Sequence, residues 1–144
     1  MLIQVMLTTF PDAFCRGVNL SHNSQLSAVY FSNLPLSADL SRPCITSHLP
    51  LILAQIISTD MREVAFDAST LRDPDFMDVL DWDAIAHILQ RPNFSHMQRL
   101  VVFGISDNIL ESTKTWIVNR LPAGRARDLV VCCHCTLADL LLAF

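Results

Sequence analysis

Leu26-Ser-Ala-Val29-Tyr-Phe31, Met61-Arg-Glu-Val64-Ala-Phe66, Met97-Gln-Arg-Leu100-Val-Val102 and Ala126-Arg-Asp-Leu129-Val-Val131 repeat one phrase, apolar-x-x-apolar-x-apolar, at steps of 35, 36 and 29 residues. A recurring period of that size marks a repeat architecture. The last two apolar positions of each phrase alternate as a half-buried strand requires, and the first lies three residues earlier, where a turn leads into the strand. Strands are therefore expected near 26–32, 61–67, 97–103 and 126–133.

Between these phrases the apolar spacing becomes helical. Leu49-Pro-Leu-Ile-Leu-Ala-Gln-Ile-Ile57 contains no glycine; Pro50 suits a first helical turn and Thr46 or Ser47 can cap it, so a short buried helix is expected. In Asp81-Trp-Asp-Ala-Ile-Ala-His-Ile-Leu-Gln90 the carboxylate of Asp81 can cap, Trp82, Ile85 and Leu89 share one face, and Pro92 stops the helix. A third helix is expected over Asn108–Leu121, with Ile109, Thr113, Trp116 and Ile117 inside and Pro122 ending it. A strand, a helix and another strand imply parallel pairing, since antiparallel neighbours need only short hairpin links. The expected fold is α/β, one domain over residues 1–144: a short leucine-rich-repeat-like solenoid with a curved parallel sheet of four strands and helices on its convex side. Residues 1–23 admit a degenerate repeat, a cap or a helix.

At 144 residues, 51% hydrophobic and 17% charged, with mean hydropathy +0.38, the chain is about one domain long and more apolar than an ordinary soluble domain. Its net charge of −4 and pI near 5.6 provide no basic face for phosphate backbones or anionic lipid, so neither nucleic acid nor a membrane surface is an expected partner. The N-terminal Met1–Phe10 lacks a basic n-region and an evident cleavage site. The longest apolar stretch, Leu49 to Ile57, is far shorter than the roughly 20 residues of a membrane-spanning helix. The triplets at Asn19 and Asn93 match the glycosylation pattern only by chance without a secretory route. Five cysteines, an odd number, fit reduced thiols and an intracellular location, cytoplasm or nucleus, better than a disulfide framework.

Chemistry-bearing patterns do not assemble. Cys132-Cys133-His134-Cys135 contains three thiols and an imidazole, but a tetrahedral metal site needs longer spacers, and neighbours on a strand point to opposite faces; Cys133 and Cys135 are expected on one side, Cys132 and His134 on the other. No metal site is expected. The acids Asp73, Asp75, Asp78, Asp81 and Asp83 lack the glycine and closing glutamate of a calcium loop, and suit a solvated segment opening a helix. None of the three glycines lies in a phosphate-cradling array. Serines and histidines, His87 and His96 included, form no recognisable nucleophile–base spacing, so the chain is expected to have no cofactor and no enzymatic activity.

Val18–Phe31, Leu80-Asp-Trp-Asp-Ala-Ile-Ala-His-Ile-Leu-Gln-Arg-Pro-Asn-Phe94, Leu100-Val-Val-Phe103 and Trp116-Ile-Val-Asn-Arg-Leu-Pro122 together resemble the C-terminal repeats of F-box/leucine-rich-repeat-like proteins, which are numerous in mushroom-forming fungi, the basidiomycetes. The resemblance implies a curved scaffold that presents a target to a ubiquitin ligase. No Leu-Pro-x-Glu-type F-box helix precedes the repeats, so the chain reads as a fragment lacking F-box and caps, with adaptor docking expected only if an F-box lies upstream. In such a stack the alternate residues of each strand face the concave side, where solenoids bind partners. Those are Tyr30 and Ser32, Glu63 and Asp67, Arg99, Val101 and Phe103, then Asp128, Val130, Cys132 and His134. Tyr30 and Phe103 are expected to be exposed aromatic anchors. The expected function is a non-catalytic protein-binding module with a protein partner of unknown identity. Alternatives are a truncated structural fragment without independent function and, third, a small serine or cysteine hydrolase.

Overall fold

Val29, Val64, Leu100 and Val130 lie side by side on four neighbouring strands, and Phe31, Phe66, Val102 and Cys132 form the next row. The computed structural model describes residues 1–6, 18–32, 43–121 and 129–142. Its strands are β1 (Leu2–Met6), β2 (Ala28–Ser32), β3 (Glu63–Asp67), β4 (Arg99–Phe103) and β5 (Val130–Cys132). They form one all-parallel sheet in sequence order. The helices are α1 (Pro43–Ala54), α2 (Trp82–Leu89), α3 (Leu110–Arg120) and α4 (Leu137–Leu142). The protein is thus α/β, with the parallel pairing that the alternation of periods implies.

In the first three phrases the first apolar residue, Leu26, Met61 and Met97, is buried ahead of its strand; Ala126 of the fourth lies outside the described residues. The ladder already begins there: Arg62 N donates to Ser27 O at 2.8 Å, and Gln98 N to Arg62 O at 2.8 Å. Three phrases are therefore in mutual register, but the fourth is shifted. Val130, not Leu129, pairs with Leu100 and enters the core. Leu129-Val130-Val131-Cys132 is an unbroken apolar run, which carries no alternation to choose a face, and a slip of one residue exchanges the two faces.

β1 resolves part of the open N-terminal stretch as a fifth strand. Its β-branched Ile3 and Val5 alternate toward the core while Leu2 and Gln4 point the other way.

All of α1, α2 and α3 cover one face of the sheet. Leu49, Ile52 and Leu53 from α1, Trp82, Ile85 and Ile88 from α2 and Ile117 from α3 join the strand rows in one core. An aromatic series runs outward through it. Phe31 stacks on Phe66 at 5.6 Å between ring centres, Phe66 meets Trp82 edge-on at 6.3 Å, Trp82 meets Trp116 at 6.1 Å, and the Arg120 guanidinium lies 3.4 Å above Trp116.

α2 starts where the sequence places it, the Asp81 carboxylate accepting from Ala84 N at 3.0 Å. α3 follows a 3-10 turn, Asp107–Ile109, and buries Thr113 and Ile117. α1 differs from expectation: it begins at Pro43, and Pro50 lies inside it. Both prolines suit a first turn, but the earlier one takes that position; Pro50 then leaves one helical hydrogen bond unmade. Asp73 and Asp81 cap, and Asp78 pairs with Arg120 at 3.2 Å on the surface, so these acids serve helix ends and a solvated contact.

Candidate functional site

The face of the sheet opposite α1–α3 carries the alternate residues of the same strands. By register one row runs Leu2, Ala28, Glu63, Arg99, and the next Gln4, Tyr30, Ala65, Val101, Val131. Ala28 and Ala65 leave room for the Tyr30 ring, which is buried with Val101, Phe103 and Leu140 of α4 in a second apolar cluster. Its hydroxyl donates to Glu63 Oε1 at 2.7 Å. The other carboxylate oxygen, Oε2, forms an ion pair with Arg99 directly across on β4. Glu63 is 2% exposed, whereas the Arg99 side chain is 42% exposed.

A carboxylate removed from water is tolerable only when both oxygens are compensated. Here one strand neighbour supplies a proton donor and the other a charge. Burial, followed by the hydrogen bond to Glu63, pushes the Tyr30 phenol well above its ordinary value, with Arg99 opposing in part. The phenol therefore stays protonated and keeps donating through the neutral range.

The half-exposed guanidinium of Arg99 opens onto a groove of about 680 Å³ at the N-terminal ends of the strands. Gln25, Asp60, Arg62 and Gln98 expose polar groups along it, and Glu63 forms part of its wall. A smaller concavity of about 300 Å³ lies at the opposite end, between the segments after β3 and β4, lined by Ser69, Arg72, Ser106 and Asn108. Small ligands of open α/β sheets gather at strand C-terminal ends where the strand order reverses. This sheet runs β1 to β5 without reversal among the described residues. No group of three or more metal-binding side chains occurs among the described residues.

The residues expected on an exposed concave face occupy different surroundings. Tyr30 and Phe103 are 0% and 3% exposed, and Ser32 and Glu63 are also buried. They are not exposed anchors, because α4 and the turn before it pack on this face through Leu140, Leu137, Cys133 and Cys135. Asp67 is half-buried and accepts from Ser69 N at 2.9 Å. Val130 and Cys132 face the main core, and Val131 takes the place assigned to Val130. His134 lies beyond β5, its Nδ1 donating to Ile105 O at 2.9 Å. Asp128 is outside the described residues.

The sheet brings together Tyr30, Glu63 and Arg99. The groove residues Arg62 and Gln98 are not among the expected ones; their signal is the polar residue after the first apolar position of the first three phrases, Ser27, Arg62 and Gln98. Cys133 and Cys135 share one side, as expected. The expectation of reduced thiols does not hold for them, since their Cα atoms are 5.3 Å apart and the sulfurs are joined.

Comparison with protein-family models, with curated proteins and with solved structures finds no match. In the described residues no helix is long and apolar enough to cross a membrane.

Proposed function

We propose that this chain is a leucine-rich-repeat-like solenoid serving as a non-catalytic protein-binding module, comparable to the target-recognition repeats of F-box-like ubiquitin ligase subunits. Its partner meets the groove at the N-terminal strand ends. The solenoid reading is supported by phrase lying beside phrase in register, Val29 against Val64 against Leu100, with α1–α3 all on one face. The groove carries the functional reading, because it is where the polar position of successive phrases is exposed, as Arg62 and Gln98, beside the compensated Glu63–Arg99 pair. Asp60 and Arg62 place both signs of charge along it, which suits a polar protein segment of mixed charge rather than a polyanion. Docking to a ligase adaptor belongs to this proposal only together with an F-box upstream.

A photo-reactive side chain introduced at Gln98 is expected to give one saturable adduct with a protein from the source cell. Arg62→Glu should abolish it, and the same group at exposed Thr115 on α3 should give none. Equal adducts from both positions, or indifference to Arg62→Glu, would overturn the assignment.

A further inference from the structure

Cys133-His134-Cys135 forms a turn at the end of β5, docked against the end of β4 by backbone bonds on both sides. Cys133 N donates to Val102 O at 3.0 Å, Ile105 N to Cys133 O at 3.2 Å and Gly104 N to Cys135 O at 3.0 Å. His134 Nδ1 adds a bond to Ile105 O at 2.9 Å. The two cysteines are joined, half-buried at the edge of the Tyr30–Phe103 cluster. The chain-entropy gain from a crosslink grows with the loop it closes and is smallest for so short a ring. This bond therefore staples nothing that the four hydrogen bonds do not already hold. The neighbouring Cys132 points to the opposite side, into the main core, where burial pushes its thiol up to about 12. It stays protonated and does not compete in exchange.

We propose that Cys133 and Cys135 form a reversible dithiol–disulfide couple whose co-reactant is a low-molecular-weight disulfide. From the reduced state, one of the two thiolates attacks a sulfur of that disulfide, forming a mixed disulfide and releasing one small thiolate. The second thiolate attacks the protein sulfur of the mixed disulfide, closes the Cys133–Cys135 bond and releases the second small thiolate. The protein loses two electrons and two protons, and the small disulfide becomes two thiols. The turn keeps its hydrogen bonds in both states, so the bond opens and closes within the folded chain.

The test equilibrates the full chain in graded mixtures of reduced and oxidised glutathione, quenches by alkylation and maps the labelled peptides. Cys133 and Cys135 are expected to lose and regain labelling together. Cys132→Ser should leave that transition in place, and Cys135→Ser should trap a glutathione adduct on Cys133. Independent labelling of the two residues, bonds from either to another cysteine, or labelling at every ratio would overturn the proposal. So would cooperative unfolding on reduction, seen by circular dichroism, because the bond would then be a staple.

Discussion

Tyr30 and Phe31 are neighbours on β2, equally buried, on opposite faces of one sheet. Phe31 enters an aromatic stack with Phe66 and Trp82 that contains no charged group, whereas Tyr30 shares its apolar cluster with a hydrogen bond to a buried carboxylate. The first face draws its stability from area removed from water and from close packing. On the second, most of the polar gain offsets the cost of removing Glu63 from solvent, so its net contribution is small while its sensitivity to a lost partner is large. Burial alone does not tell how a face is held together.

The sharpest way to break this contrast is Phe66→Ala. Removing a fully buried ring that touches two other aromatics should cost about 3–5 kcal/mol, a large share of the whole stability of a domain this size. Urea unfolding should show the midpoint falling without a change of slope; a loss below about 1 kcal/mol would contradict the packed-stack account.

On the other face Tyr30→Phe should cost about 1–3 kcal/mol, because Glu63 Oε1 then has no donor. In a Glu63→Leu background the same change should cost close to nothing. A double-mutant cycle in urea reads the difference, and additive costs would show that the hydrogen bond is not the coupling.

The smallest effect at neutral pH comes from titration. Tyr30 is the chain's only tyrosine, so tyrosinate absorbance reports on it alone. Its folded-state pKa is raised, so the stability it contributes is complete below the ordinary phenol value of about 10 and lost as pH rises beyond it, where only the unfolded state releases the proton. The absorbance should therefore remain flat through that value and rise together with unfolding. A simple ionisation near 10 in the folded protein would place the ring in solvent.

The helix-covered face was largely legible in the sequence. Val29, Val64 and Leu100 stand at matching positions of three phrases, and Asp81 with Trp82 and Ile85 announces α2 by cap and spacing. The second face was not, because alternation separates two sets of residues without revealing what covers either. Parallel sheets are commonly buried on both sides, and the short α4 that covers Phe103 has little helical periodicity to display. Val130 went to the wrong face because a continuous apolar run has no phase, and α1 was placed late because Pro43 and Pro50 offer equivalent starts. The groove lay hidden in polar residues whose only distinction is their position in the phrase.

Strand order β1 to β5 without a crossing has a consequence for how motion spreads. Among the described residues each strand's ladder involves only the strands immediately beside it, so opening is expected to start at an edge. β3, the middle strand, is expected to exchange its amide hydrogens last. The carboxylate on β3 that binds Tyr30 on β2 and Arg99 on β4 thus lies on the middle strand, joining three strands with side chains where the backbone alone joins them in pairs.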